Sequence, residues 1–384
     1  MFIDVGCCKK KKYNQNAYGD YFVSKRYREG KLIAVLSDGL GSGIKANILS
    51  CMTATMLLKF IEAQANIENA CEIVMNSLPV CKERGISYST FSAVECDEDG
   101  HVKIVEEGNP DFIWIRENKV LEAECRLVAS KTFPNRNMHL YNIKAEKDDR
   151  IILCSDGVTQ AALGSKELHD GLGRKGFIEI ILNKLKENET ISADELSKYL
   201  VRQIEVITPE HKLKDDTSVG VLYFRNPRKA VLFTGPPFDN QQDRLYAESF
   251  YNFEGKKAIA GGTTANLVSR ELNLEIEQEN SVNIGKLPNV SYMKGVDLVT
   301  EGILTLTKTA EYLENNSFKD DAAGKLMKFF LESDEIKIMA GVCLNQAHYD
   351  PKLPVEIEIR KNVVKQIAKI LEEKYTKKVD VVYI

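Results

Sequence analysis

Four acidic positions in this 384-residue chain share one setting. Asp38 lies in Leu36-Ser-Asp-Gly39, directly after an apolar run over 32–36, and Asp156 lies in Cys154-Ser-Asp-Gly157, after a second such run. Asp20 follows Gly19 just ahead of a β-prone stretch over 21–27, and Asp215-Asp216 stand immediately before the apolar stretch 217–224. Short apolar runs bounded by turn residues read as buried strands. Each carboxylate therefore falls at a strand end, and Gly39, Gly41 and Gly43 let backbone come close to a ligand there. Carboxylates converging from adjacent strand ends suit hard divalent cations such as Mg²⁺ or Mn²⁺, which take oxygen ligands and keep several waters. The Gly39 carbonyl is a further oxygen for such an ion. Two ions about 3.5–4 Å apart would acidify a bridging water and clamp both ends of a phosphoryl displacement, with no Ser or Cys nucleophile. A lone Asp-Gly is far more often a turn, as Asp97 to Gly100 is expected to be. From the residues alone, a metal-dependent hydrolase and a set of turns both stay open.

The surrounding pattern sets what must position these groups. Strands are expected over 2–5, 21–27 and 31–37, with a hairpin turn at Glu29-Gly30. Apolar residues spaced three and four apart predict a helix over 44–65, capped by Ser42, and another over 67–82. Strands follow over 89–96, 101–106, 112–116, 119–123, 138–145 and 150–154, then helices over 177–186 and 193–207 and a closing strand over 217–224. Short hairpin links imply antiparallel pairing. Helices in pairs rather than alternating with strands predict a layered α/β sandwich, with helices outside central antiparallel sheets. Arg225-Asn-Pro-Arg-Lys229 reads as a boundary. Beyond it strands and helices alternate, which predicts a second, smaller α/β domain over 229–384.

Composition narrows the class. Apolar and charged fractions of 43% and 28% are those of a soluble globular protein. A formal net charge of −4 argues against a nucleic-acid binder. No stretch is read as approaching the roughly 20 apolar residues of a membrane span, and Met-Phe-Ile-Asp-Val is not an export signal. The nine cysteines lack paired spacing, which predicts reduced thiols and a cytoplasmic protein.

Four ordered motifs then carry a resemblance: Gly19-Asp20, Leu36-Ser-Asp-Gly-Leu-Gly-Ser-Gly43, Leu153-Cys-Ser-Asp-Gly-Val-Thr159 and Lys214-Asp-Asp-Thr-Ser-Val219. Over about residues 1–225 the chain resembles the 2C-type metal-dependent protein phosphatases, in particular their SpoIIE-like (stage II sporulation protein E-like) branch. Thr90 to Gly100 and Gly108-Asn-Pro110 resemble that branch's middle hairpins. The resemblance implies an αββα sandwich and hydrolysis of phosphoserine or phosphothreonine on a protein substrate, with two Mn²⁺ or Mg²⁺ ions. It gives Asp38, Asp156 and Asp215 the catalytic work. Asp38 would bridge both ions, Gly39 would lend its carbonyl, Asp20 would bind one ion, and Asp156 and Asp215 would hold the other side of the pair. Asp216 would support those ligands from behind. Gln160 departs from the branch, which commonly has an acid there. Lys9 to Lys12 and Lys45 are candidates to attract phosphate, and His139, His169 and His211 to supply a proton to the leaving group.

In the second domain, Ala260-Gly-Gly-Thr-Thr264 runs from an expected strand into an expected helix. Backbone N–H groups at such a start favour anions, so Gly261, Gly262, Thr263 and Thr264 are expected either to hold a small-molecule ligand or to form a helix start capped by one of the threonines. The loops at 234–237 and 297–302 are strand ends that would share that pocket. Two alternatives stay beside the phosphatase reading: a non-catalytic phosphatase-like binding module, and a separate ligand-binding activity in residues 229–384.

Overall fold

Every side chain from Leu32 to Leu36 is fully buried, which a strand achieves only when both of its faces are covered. The computed structural model describes residues 1–27, 30–63, 66–77, 89–130, 137–278, 290–342 and 353–384, the side chains of 353–357 excepted. These fall into two compact units, Met1–Asn226 and Pro227–Ile384.

The first unit runs β1 (Phe2–Lys10), β2 (Asp20–Tyr27), β3 (Lys31–Gly39), α1 (Ile44–Glu62), α2 (Ile67–Ser77), β4 (Ser89–Asp97), β5 (His101–Glu107), β6 (Ile113–Arg116), β7 (Lys119–Leu121), β8 (Cys125–Ala129), β9 (Asn137–Lys144), β10 (Arg150–Cys154), the single turn α3 (Asp156–Thr159), α4 (Gly173–Glu187), α5 (Ala193–Ile207) and β11 (Thr217–Arg225). Two antiparallel sheets result, ordered β2-β3-β4-β5-β9-β8 and β1-β11-β10-β6-β7. Alternation along β3 explains its double burial. Ile33 and Val35 pack with Ala54, Leu57 and Ile61 of α1 and with Ala70 and Val74 of α2. Leu32, Ala34 and Leu36 pack with Ile151, Leu153, Leu222 and Phe224 of the other sheet. The far faces of β10 and β11 carry Ile152, Val219 and Val221 against Phe177 and Ile181 of α4 and Leu196 and Leu200 of α5. The order of layers is helix, sheet, sheet, helix, the αββα sandwich expected from the sequence.

Several expectations are corrected. Ser42 does not cap α1: the N-cap is Gly43, at φ 75°, with no capping side chain. By length and composition α1 is long and apolar enough to cross a membrane, contrary to the reading that no stretch approaches this. Its seven buried residues, among them Ala54, Leu57 and Ile61, pack in the core as those of a core helix do. The edge strand β8, with Leu127 mostly exposed, was not anticipated. The turn residue Glu29 and the expected helical residues 64–65 and 78–82 lie outside the described residues.

The second unit runs β12 (Lys229–Thr234), α6 (Asp243–Tyr251), β13 (Lys256–Ala260), α7 (Gly262–Leu272), β14 (Ile276–Gln278), β15 (Ser291–Met293), β16 (Val296–Thr300), α8 (Ile303–Asn315), α9 (Ala322–Leu331), β17 (Glu335–Ala340), α10 (Leu353–Glu373) and β18 (Lys378–Tyr383). Its sheet is ordered β14-β15-β16-β13-β12-β17-β18. The five strands from β16 to β18 in that order are parallel, and β14 and β15 are antiparallel additions at one edge. Leu232, Ile336 and Ile338 face α8, α9 and α10 on one side. Val231, Phe233 and Ile259 face α6 and α7 on the other. This is a doubly wound α/β unit.

Candidate metal centre

Pairing brings the first two aspartates together. Asp20, at the start of β2, lies directly opposite Asp38 near the end of β3. The Gly39 N–H donates to the Gly19 carbonyl across the same pair at 3.3 Å. A β-carbon at Gly39 would stand 2.1 Å from the Ala46 carbonyl oxygen, so only glycine lets α1 pack this closely behind Asp38. In the other sheet the Ser155 N–H donates to the Ser218 carbonyl at 3.1 Å, and the Ser218 N–H donates to Ser155 Oγ at 3.0 Å. That clamp holds Asp156, at the start of α3, beside Asp215 at the entry to β11.

The two pairs meet across the sandwich. Asp38 feels the charges of Asp20, Asp156 and Asp215, and its carboxyl lies close to those of both Asp20 and Asp156. Burial and then these three carboxylates push its pKa up to about 10. Burial lifts Asp20 to about 6. Burial, followed by the Asp215 charge, also raises Asp156. Carboxylates crowded this way hold on to protons unless positive charge is supplied. Asp20 is fully buried, and both of its oxygens lack a hydrogen-bond partner; the Ser155 and Ser218 hydroxyls lie nearby, and the Ser218 hydroxyl is itself unpartnered. An orphaned buried carboxylate at the meeting point of three others fits a divalent cation.

Asp216 points elsewhere. It is buried, accepts a hydrogen bond from the Lys12 N–H at 3.2 Å, and abuts Gly19, where a β-carbon would stand 2.6 Å from Oδ2. It therefore braces the segment that delivers Asp20. Gln160 Nε2 donates to Asp156 Oδ2 at 2.9 Å. The histidines have other partners. His139 faces Asp111 at 3.6 Å, His169 faces Asp170 at 3.2 Å, and His211 Nδ1 lies 3.1 Å from the Glu205 carbonyl oxygen. Among the lysines singled out, Lys9 and Lys11 lie over tyrosine rings, Lys10 pairs with Glu205, and Lys45 is exposed.

Two supports were not legible in the residue pattern. Asn109 Nδ2 donates to the Leu36 carbonyl at 3.3 Å and to Ser92 Oγ at 3.1 Å, while its Oδ1 accepts from Thr90 at 2.5 Å. It fastens the end of β3 to β4. Lys214 Nζ donates to the Leu163 carbonyl at 2.7 Å and lines a cavity of about 50 Å³ with Asp215, Gln160 and Gly157. Of the four aspartates, that cavity includes Asp215 alone.

Among the described residues, one set of three ligand-type side chains has donor atoms all within 4.8 Å of one another: Asp97, Asp99 and His101, in the β4–β5 hairpin. No three of the strand-end aspartates meet that spacing. Asp97 Oδ1 accepts from the His101 N–H at 2.9 Å, as a turn aspartate does, and Asp99 and His101 are exposed.

Comparison with known proteins gives the family of the first unit. The model of the family "Stage II sporulation protein E (SpoIIE)" matches residues 28–225, just over half of the chain. The chain is 23% identical over 222 residues to stage II sporulation protein E of Priestia megaterium, covering 57% of this chain and 36% of that one. It is also 23% identical over 247 residues to the Bacillus subtilis protein of the same name, covering 63% and 28%. The chain thus spans about a third of the length of these relatives. A solved structure of the PP2C phosphatase domain and a fragment of the regulatory domain of Bacillus subtilis SpoIIE is similar at a TM-score of 0.49 and 21% identity, over 58% of this chain and 63% of that one. Through residues 28–225, the chain belongs to the stage II sporulation protein E (SpoIIE) family.

Proposed function

We propose that the first unit is a metal-dependent protein serine/threonine phosphatase acting on phosphoserine or phosphothreonine of a protein partner in the cytoplasm. One observation carries the reading: Asp38 is surrounded by Asp20, Asp156 and Asp215, and Asp20 has no partner for either oxygen. Two Mn²⁺ or Mg²⁺ ions, when bound, supply a water acidic enough to attack phosphorus near neutral pH.

The chain's own residues do the rest. Asp38, Asp20, the Gly39 carbonyl, Asp156 and Asp215 would hold the ions. With the ions bound, these aspartates would stand as carboxylates. Ser155, Ser218 and Asp216 keep the strand ends in place, and Gln160 steadies Asp156. Lys214 lines the cavity beside Asp215. The three histidines keep their own partners and are given no leaving-group proton.

The test is Mn²⁺-dependent hydrolysis of p-nitrophenyl phosphate and of phosphopeptides by the full chain. Asp38→Ala is expected to lower turnover by more than about a hundredfold, beyond what loss of a supporting contact does. Absence of metal-dependent turnover on both substrates would overturn the reading.

A further inference from the structure

In the second unit, β12, β13, β16, β17 and β18 run parallel in the spatial order β16-β13-β12-β17-β18. The chain starts at the centre, builds outward to β16, then crosses back to β17. Doubly wound sheets bind ligands in the crevice outside the carboxyl ends of their strands, where this order reverses. A cavity of about 290 Å³ opens at that edge, walled by the loops after β12, β13 and β16 and by Arg360 of α10.

Its polar groups converge. Gly261 and Gly302 touch: a β-carbon on Gly302 would be 3.5 Å from the Gly261 Cα. Helices α7 and α8 therefore begin side by side. Neither has a capping side chain nor an acidic residue in its first turn. The threonines expected as caps do not serve: the Thr264 hydroxyl accepts from the Gly235 N–H at 2.8 Å, tying the β12 loop to α7. The Arg360 guanidinium lies on Gly235, where a β-carbon would be 2.7 Å from Nη1, and it faces the same cavity. Gly262 looks onto open space, with nothing within 4 Å of the point where a β-carbon would stand. Two uncapped helix starts and a guanidinium around one hollow favour a doubly charged phosphate. Glu301, also on the wall, offers an acceptor for a hydroxyl.

We infer that this cavity binds a small phosphorylated metabolite, a nucleoside or sugar phosphate, with the phosphate between the starts of α7 and α8 and Arg360. The inference does not depend on the first unit's activity. It is tested by calorimetric titration of the full chain in EDTA, so that metal at the first unit's aspartates plays no part. The probes are AMP, ribose 5-phosphate, inorganic phosphate and adenosine. At least one of the two esters is expected to bind more tightly than inorganic phosphate, and adenosine not at all. Binding of AMP alone would mark a nucleotide site, and equal binding of both esters a sugar-phosphate site.

Gly262→Asp adds a charge that suits a helix start, so the melting temperature should hold or rise while ester affinity falls by about tenfold or more, or about 1.4 kcal/mol. Arg360→Ala should weaken the esters similarly. The inference is overturned if neither ester binds, or if both variants bind as the parent does.

Discussion

Asp20 and Asp38 stand directly opposite each other across the β2–β3 pair. Like charges so placed destabilise a sheet, and this pair is also buried against Asp156 and Asp215. The strain disappears only with a proton or a cation.

That relationship predicts how stability responds to pH without metal. Unfolded aspartate titrates near pH 3.9, whereas the folded values are about 10 for Asp38 and about 6 for Asp20. Between these limits the folded state holds more protons than the unfolded one, so stability falls as pH rises. In EDTA the melting temperature should drop from pH 5 to pH 9. Mn²⁺ should flatten most of that slope, leaving the part due to Glu106, which burial pushes up to about 8. Differential scanning fluorimetry across pH measures both.

Replacing the charge should act in opposite directions on stability and function. Asp38→Asn removes the repulsion, so at pH 8 in EDTA the variant should melt above the parent. It should lose the stabilisation by Mn²⁺ that ligand linkage gives the parent. Thermal melts of both proteins with and without Mn²⁺ check this, and a variant melting below the parent in EDTA would count against it.

Asn109 should behave as a positioning residue. Asn109→Ala leaves the Leu36 carbonyl, Ser92 and Thr90 without that partner. A loss of about 1–3 kcal/mol in urea unfolding is expected, together with a tenfold or greater loss of Mn²⁺ affinity. Stability loss with unchanged Mn²⁺ affinity would reduce it to a packing role.

Gly39→Ala should be far worse than a surface substitution. Its β-carbon would meet backbone of α1 at 2.1 Å, which rotamer changes cannot relieve. Destabilisation at or above the usual 1–3 kcal/mol of overpacking is expected, read by urea denaturation.

Much of this was legible because burial leaves a pattern. Runs such as 32–36 and 151–153 are continuous because helices cover one face and a second sheet the other. The repeated Ser-Asp-Gly at their ends marked two of the aspartates that the fold brings together. What escaped lacked that imprint. β8 is an exposed edge strand, and β14 and β15 span three residues each, too short for alternation to show. Ser42 and Thr263-Thr264 looked like caps, yet glycines at positive φ take the cap positions of α1 and α7. Asn109 and Lys214 act through tertiary contacts that no local spacing encodes. The polar Asn47, Ser50, Thr53 and Thr55 obscured how apolar α1 is on average.

The most direct test is anomalous diffraction from crystals of the full chain soaked in Mn²⁺. The account predicts two manganese peaks enclosed by Asp20, Asp38, Asp156 and Asp215, both absent from Asp38→Ala crystals. No peak there, or manganese bound only at Asp97, Asp99 and His101, would contradict it.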